Sequence, residues 1–219
     1  TSIPVVIYDR GIQREVINVG TGLVQERHTS DFWVFEGVDK RDYAVSGTWG
    51  ADGTTYFWDV TDPAQIRKID SIQVDARTVN DVKVSEDGRI SVISREGASS
   101  RRNGIVIIDT TNPYDVNIIS EYTTNLTGGV HNVFIYQDHV FALSNGERFY
   151  VINIEDPKNP YEVGMFEIGE KGQAIHDVWI EDGIAYSSNW KHGVYIIDVG
   201  NGVAGGSPSN PVVMSNYSY

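Results

Sequence analysis

Residues Ile105-Val106-Ile107-Ile108-Asp109 decide the fold, because an apolar segment closed by an acid or its amide recurs four more times along the chain. The other copies are Val5-Val6-Ile7-Tyr8-Asp9, Thr55-Tyr56-Phe57-Trp58-Asp59, Phe149-Tyr150-Val151-Ile152-Asn153 and Val194-Tyr195-Ile196-Ile197-Asp198. Their closing residues fall 50, 50, 44 and 45 positions apart, which is the length of one four-stranded propeller blade. No window combines helical periodicity with caps, and the many Val, Ile, Tyr and Thr runs are bounded by Gly, Asn and Pro. Such runs read as strands and turns. The sequence therefore predicts an all-β fold, a β-propeller built of four-stranded antiparallel blades.

Working outward from the repeat divides the chain into a back half-blade, 1–27, and four blades, 28–76, 77–128, 129–173 and 174–219. The half-blade carries strand signals at 3–8 and 15–19. Each of the first three blades turns from its third to its fourth strand through an Asp/Asn-Pro pair: Asp62-Pro63, Asn112-Pro113 and Asp156-Pro157. Proline fixes φ there while the preceding side chain bonds nearby backbone. The fourth blade has a longer glycine-rich segment, 200–210, at the same place, predicted to be a surface loop on the same face. There are five back halves and only four front halves. This predicts either a segment of a longer chain or a ring closed by another copy or partner, since an open arc would expose apolar faces and strand edges.

Overlaying the blades aligns their first strands. Phe32, Val82, Val133 and Val178 form one column and Val34, Val84, Ile135 and Ile180 a second on the same face, while Trp33, Lys83, Phe134 and Trp179 occupy the opposite face. Lys83 interrupts an aromatic column, and its stem is expected to lie on apolar surface with the ammonium in water.

Composition narrows the function classes. With 219 residues, 40 % of them apolar, the chain can bury a core, and no apolar run is long enough to cross a bilayer. No charged segment followed by a hydrophobic one opens the sequence, so a targeting segment is expected to be already absent. Zero Cys excludes disulfides, thiolate zinc sites and cysteine nucleophiles. A net charge of −13 repels nucleic acid and anionic membrane surfaces. Arg95, Arg101 and Arg102 form the one compact basic group, and their Gly/Ser-rich surroundings predict a solvated loop.

The five segments, the Asp/Asn-Pro turns and the blade starts His131-Asn132-Val133 and His176-Asp177-Val178 together resemble the LVIVD-repeat proteins. The resemblance covers nearly the whole chain and is strongest over 129–219. It implies a bacterial β-propeller that is extracellular, cell-surface or periplasmic. It implies no particular reaction, because propellers host many unrelated functions.

Candidate site residues follow from the register. Ser30-Asp31, Asn80-Asp81, His131-Asn132 and His176-Asp177 open equivalent inner strands, so they should converge at the channel mouth. One reading is a ligand or metal site of His131, His176, Asp31, Asp81 and Asp177, with a divalent metal ion as candidate cofactor. The other is that each pair hydrogen-bonds the neighbouring blade, because polar groups entering a buried ring need partners. The acids that close the third strands, Asp9, Asp59, Asp109 and Asp198, are expected to accept turn backbone N–H groups. His28, His139 and His192 do not recur in register and are expected to face solvent.

No Gly-x-Ser-x-Gly elbow, His-Glu-x-x-His helix or phosphate loop is present. Two function classes follow from this. The leading one is a non-catalytic extracellular or cell-surface module that presents its faces to a protein or polysaccharide partner. The other is a metal-dependent enzyme built on the channel-mouth His/Asp set.

Overall fold

A computed structural model describes residues 5–9, 12–169 and 174–218, those before Val16 as backbone only. After the hairpin of β1 (Val5–Asp9) and β2 (Ile12–Val16) come four four-stranded antiparallel sheets. Blade 1 is β3 (His28–Glu36), β4 (Asp42–Trp49), β5 (Thr54–Asp59) and β6 (Arg67–Gln73). Blade 2 is β7 (Val82–Val84), β8 (Ile90–Arg95), β9 (Gly104–Asp109) and β10 (Asn117–Tyr122). Blade 3 is β11 (Val130–Tyr136), β12 (His139–Ser144), β13 (Arg148–Asn153) and β14 (Tyr161–Glu167). Blade 4 is β15 (Asp177–Glu181), β16 (Ile184–Ser188), β17 (Val194–Asp198) and β18 (Val212–Tyr217). Strands within each blade pair in sequence order. The one helical turn among the described residues is the 3₁₀ segment Trp190–His192.

The continuous apolar third strands are explained by burial on both faces. Ile105 and Ile107 pack toward blade 3 in one cluster, whereas Val106 and Ile108 pack toward blade 1 in another. A third cluster joins blades 3 and 4 and includes Phe141, Phe149, Val151, Ile180 and Ile197. Each fully buried aliphatic side chain contributes about 1.5–3 kcal/mol, so the repeat itself supplies the glue between blades. In all four blades the third–fourth strand pair slips register once, between Phe57/Trp58, Ile118/Ser120, Val151/Ile152 and Ile196/Ile197. A slip of this kind increases local twist. Glycine starts three of these pairs for a steric reason: a Cβ on Gly53, Gly104 or Gly193 would lie about 2 Å from the carbonyl oxygen of Val74, Tyr122 or Tyr217.

The turns behave as their residues require. Asp62, Asn112 and Asp156 accept from the N–H groups of Ala64, Tyr114 and Lys158, while Asp59, Asp109 and Asn153 accept from Thr61, Thr111 and Glu155. Asp198 organises the long loop, accepting from Gly200, Gly202, Ala204 and Gly206. Burial opposes its ionisation, but these four donors outweigh it and hold the carboxyl below its usual range. The side chain of Asp9 lies outside the described residues.

Several expectations need correction. The second strand of the hairpin is Ile12–Val16 rather than 15–19. Arg95 is not in a solvated loop: it is 3 % exposed on β8, with Nη1 donating to Glu121 at 2.8 Å. Arg101 and Arg102 are exposed in the loop between β8 and β9. One column also splits: Val82 is fully buried but Phe32 is 65 % exposed, because no other described blade covers that face of blade 1.

Candidate functional site

The inner strands β3, β7, β11 and β15 bring the four polar pairs to one end of the axis, here called the upper mouth. In blades 1 and 2 these pairs stitch each blade to the next. Ser30 donates to the Val79 carbonyl, and the Val82 N–H donates to Asp31 at 3.3 Å. Asn80 donates to the His131 carbonyl at 2.9 Å, and the Val133 N–H donates to Asp81 at 2.7 Å. Asn132 continues the pattern by donating to Asp177 at 3.1 Å.

Lys83 does not send its ammonium to water. The side chain is 12 % exposed, and Nζ contacts both Asp81 and Asp31, the latter at 3.1 Å, while lying 5.0 Å from the Trp33 ring centroid. Burial pushes the Asp81 carboxyl up, and the facing Asp31 adds to the shift. Burial also works against Asp31, but its hydrogen bond with Asp81 and the Lys83 charge bring it below the usual range. An ammonium therefore occupies the place between the two aspartates that the sequence offered to a metal. Among the described residues, no group of three or more His, Asp and Glu side chains is placed to hold one.

His131 and His176 are different. Their rings lie 5.3 Å apart, and His176 meets Trp190 edge-on at 4.6 Å. With Glu96, Gly128, Gly129, Asn145, Gly146 and Ile175 they line an open cavity of about 290 Å³. His131 Nδ1 lies 3.3 Å from Glu96 Oε1, and the Asn80 amide nitrogen lies 3.5 Å from Nε2. The carboxylate beside Nδ1 selects the tautomer protonated there, which leaves the Nε2 lone pair as the basic site, and the Asn80 amide is committed to the His131 carbonyl. The Glu96 hydrogen bond raises the His131 pKa from its ordinary value, against the effect of burial. This is the pattern of a general base oriented by an acid. Trp190 has a φ of 47°, rare for so bulky a residue, and it is held over His176 by a turn anchored on the fully buried Asn189.

Glu96 and Trp190 were not legible as site residues. Both follow the second strand of their blade, and only the hairpin geometry shows that these turns share an end of the molecule with the inner-strand starts. His28 is exposed, whereas His139 and His192 are partly buried rather than facing solvent, with Asn153 beside His139 Nε2 at 3.4 Å.

No protein-family model matches the chain, and no curated protein matches it by sequence. Solved structures do. A hypothetical selenium-binding protein from Sulfolobus tokodaii aligns with a TM-score of 0.64 at 13 % identity, over 87 % of this chain and 55 % of its own. The periplasmic gluconolactonase of Pseudomonas aeruginosa aligns with a TM-score of 0.71 at 12 % identity, over 99 % of this chain and 64 % of its own. The chain thus spans between half and two thirds of the length of these structures, and at such identities the likeness shows the β-propeller fold. It also corrects the reading as a non-catalytic interaction module, which rested on missing sequence motifs: one of these two structures is that of an enzyme. Of the residues expected to form a metal site, Asp31 and Asp81 are engaged by the Lys83 ammonium, while His131 and His176 lie together beside the cavity. No helix among the described residues is long and apolar enough to cross a membrane.

Proposed function

We propose that the upper mouth hydrolyses a small polar cyclic ester of the sugar-lactone class, with His131 as general base. The observation that carries this is the Glu96–His131 pair at 3.3 Å, opening onto a cavity whose wall is His176 and Trp190. His131 Nε2 takes a proton from water as the water oxygen bonds to the lactone carbonyl carbon. The ring C–O bond then breaks, and the proton passes to the departing alkoxide oxygen to give a hydroxy acid. Glu96 stabilises the transient imidazolium, and the Trp190 face suits the C–H surface of a sugar-derived ring. The gluconolactonase neighbour supports the substrate class by its fold alone.

The same neighbour, being periplasmic, supports an exported or periplasmic location for this chain. The five repeated segments support membership of the LVIVD-repeat group. The exposure of Phe32 and Val34, whose equivalents Val82 and Val84 are buried, supports a further blade surface over this face, from a longer ring or a second copy.

The test is pH-stat titration of acid released from glucono-1,5-lactone. Hydrolysis above the buffer rate that falls about 10²–10⁴-fold in His131→Ala supports the reading. A wild-type rate equal to buffer, or an undiminished variant, overturns it.

A further inference from the structure

The lower mouth, at the other end of the same inner strands, is chemically unlike the upper one. The axial column places three rings there: Phe134 and Trp179 with centroids 5.0 Å apart, and Trp33 6.1 Å from Trp179 and 6.2 Å from Phe134. The fourth member of the column is Lys83, whose ammonium is paired with Asp31 and Asp81 and lies 5.0 Å from the Trp33 ring centroid. The rings form the floor of an open cavity of about 940 Å³. Trp179 is 51 % exposed, so a large aromatic face meets solvent on the axis.

Carboxylates dominate the walls, eight against the two cations Arg89 and Lys158. Arg89 is engaged by Asp87 and Glu36 by Lys40. Among the described residues no cation forms an ion pair with Asp138, Glu181 or Asp182, which lie at the inner-strand turns beside the rings. Aromatic faces carry negative quadrupole potential, and a concave wall of one sign concentrates the opposite charge. Trp33 already shows this behaviour toward the Lys83 ammonium.

We propose that the lower mouth binds a small quaternary ammonium ion, its methylated head on Trp33, Phe134 and Trp179 and its charge balanced by Asp138, Glu181 and Asp182. A methylated head suits this floor better than a bare metal ion, because it buries apolar surface on the rings while keeping its charge. The site is independent of the hydrolytic reading of the upper mouth.

Calorimetric titration of the purified chain with choline, and with its neutral isostere 3,3-dimethylbutan-1-ol, tests the proposal. Choline is expected to bind saturably in the millimolar range and the isostere roughly three- to thirtyfold more weakly. Trp179→Ala is expected to weaken choline by a similar factor while leaving lactone hydrolysis unchanged. The Glu181→Gln/Asp182→Asn double variant, which removes only surface charge, is expected to weaken choline and leave the isostere unaffected. Absence of saturable choline binding, equal binding of the isostere, or wild-type choline affinity in both variants would overturn the proposal.

Discussion

The Ser30-Asp31 and Asn80-Asp81 pairs of blades 1 and 2 occupy the same register as His131-Asn132 and His176-Asp177 of blades 3 and 4, yet the two halves of the upper mouth do different things. In the first half every polar group is committed. Asp31 and Asp81 accept backbone N–H groups from the following blade and also clamp Lys83. In the second half the imidazoles project into a cavity, one of them oriented by Glu96. A repeat thus fixes where a side chain emerges, while the side chain's length and its neighbours decide between stitching the ring and leaving a group available for chemistry.

The comparison breaks most severely at Lys83. Replacing it with Met would leave Asp31 and Asp81 facing each other without their cation, and removing one partner of a buried charge set costs about 3–5 kcal/mol. Urea denaturation is the measurement. The Asp81 carboxyl is pushed up in the fold, so protonation favours the folded state. The loss in Lys83→Met should therefore be smallest at acid pH and grow as pH rises through the folded Asp81 value. A stability loss independent of pH would show that Lys83 acts through packing alone.

Next in size is the split column. Val82→Ala should cost about 2 kcal/mol or more, through lost burial and the cavity left behind. Phe32→Ala in a monomer should change stability by no more than about 0.5 kcal/mol. If Phe32→Ala proves as costly as Val82→Ala, or shifts the mass measured by light scattering, then the blade 1 face is covered in solution and the proposed closing surface gains its partner.

Smaller still is Asn80→Ala. It removes the amide that donates to the His131 carbonyl and neighbours Nε2, and a typical hydrogen bond of this kind is worth about 0.5–1.5 kcal/mol. Its effect should appear in the lactone rate as much as in stability, because the amide holds the His131 backbone in place beside the cavity. An Asn80→Ala variant with altered stability but a wild-type rate would confine Asn80 to the stitching role.

How much of this was readable beforehand varies with the physics involved. The blades were legible because residues such as Ile105 to Ile108 are apolar on both faces, a pattern that only packing between two neighbours satisfies. The Asx turns at Asp62, Asn112 and Asp156 were legible because their hydrogen bonds are local. Lys83 was misread because a long side chain can reach either end of the axis, and the choice depends on two carboxylates from different blades. Arg95 was misread because its sequence neighbours are glycine and serine while its spatial neighbours are strands. Glu96 and Trp190 could not be found from periodicity, since they sit in hairpin turns of unlike sequence. The function class was hidden for a related reason: the proposed Glu96–His131 pair is assembled from adjacent blades and leaves no linear motif.

The most direct test of the account is the pH dependence of kcat/KM for glucono-1,5-lactone in the wild type and in Glu96→Gln. The neutral imidazole is the active form, and Glu96 holds the His131 pKa above its ordinary value. The wild-type rate should therefore rise with pH through a midpoint above about 6.5, and Glu96→Gln should move that midpoint down while lowering the plateau. Coincident profiles for the two proteins, or no hydrolysis by either, would contradict a general base made by the Glu96–His131 pair.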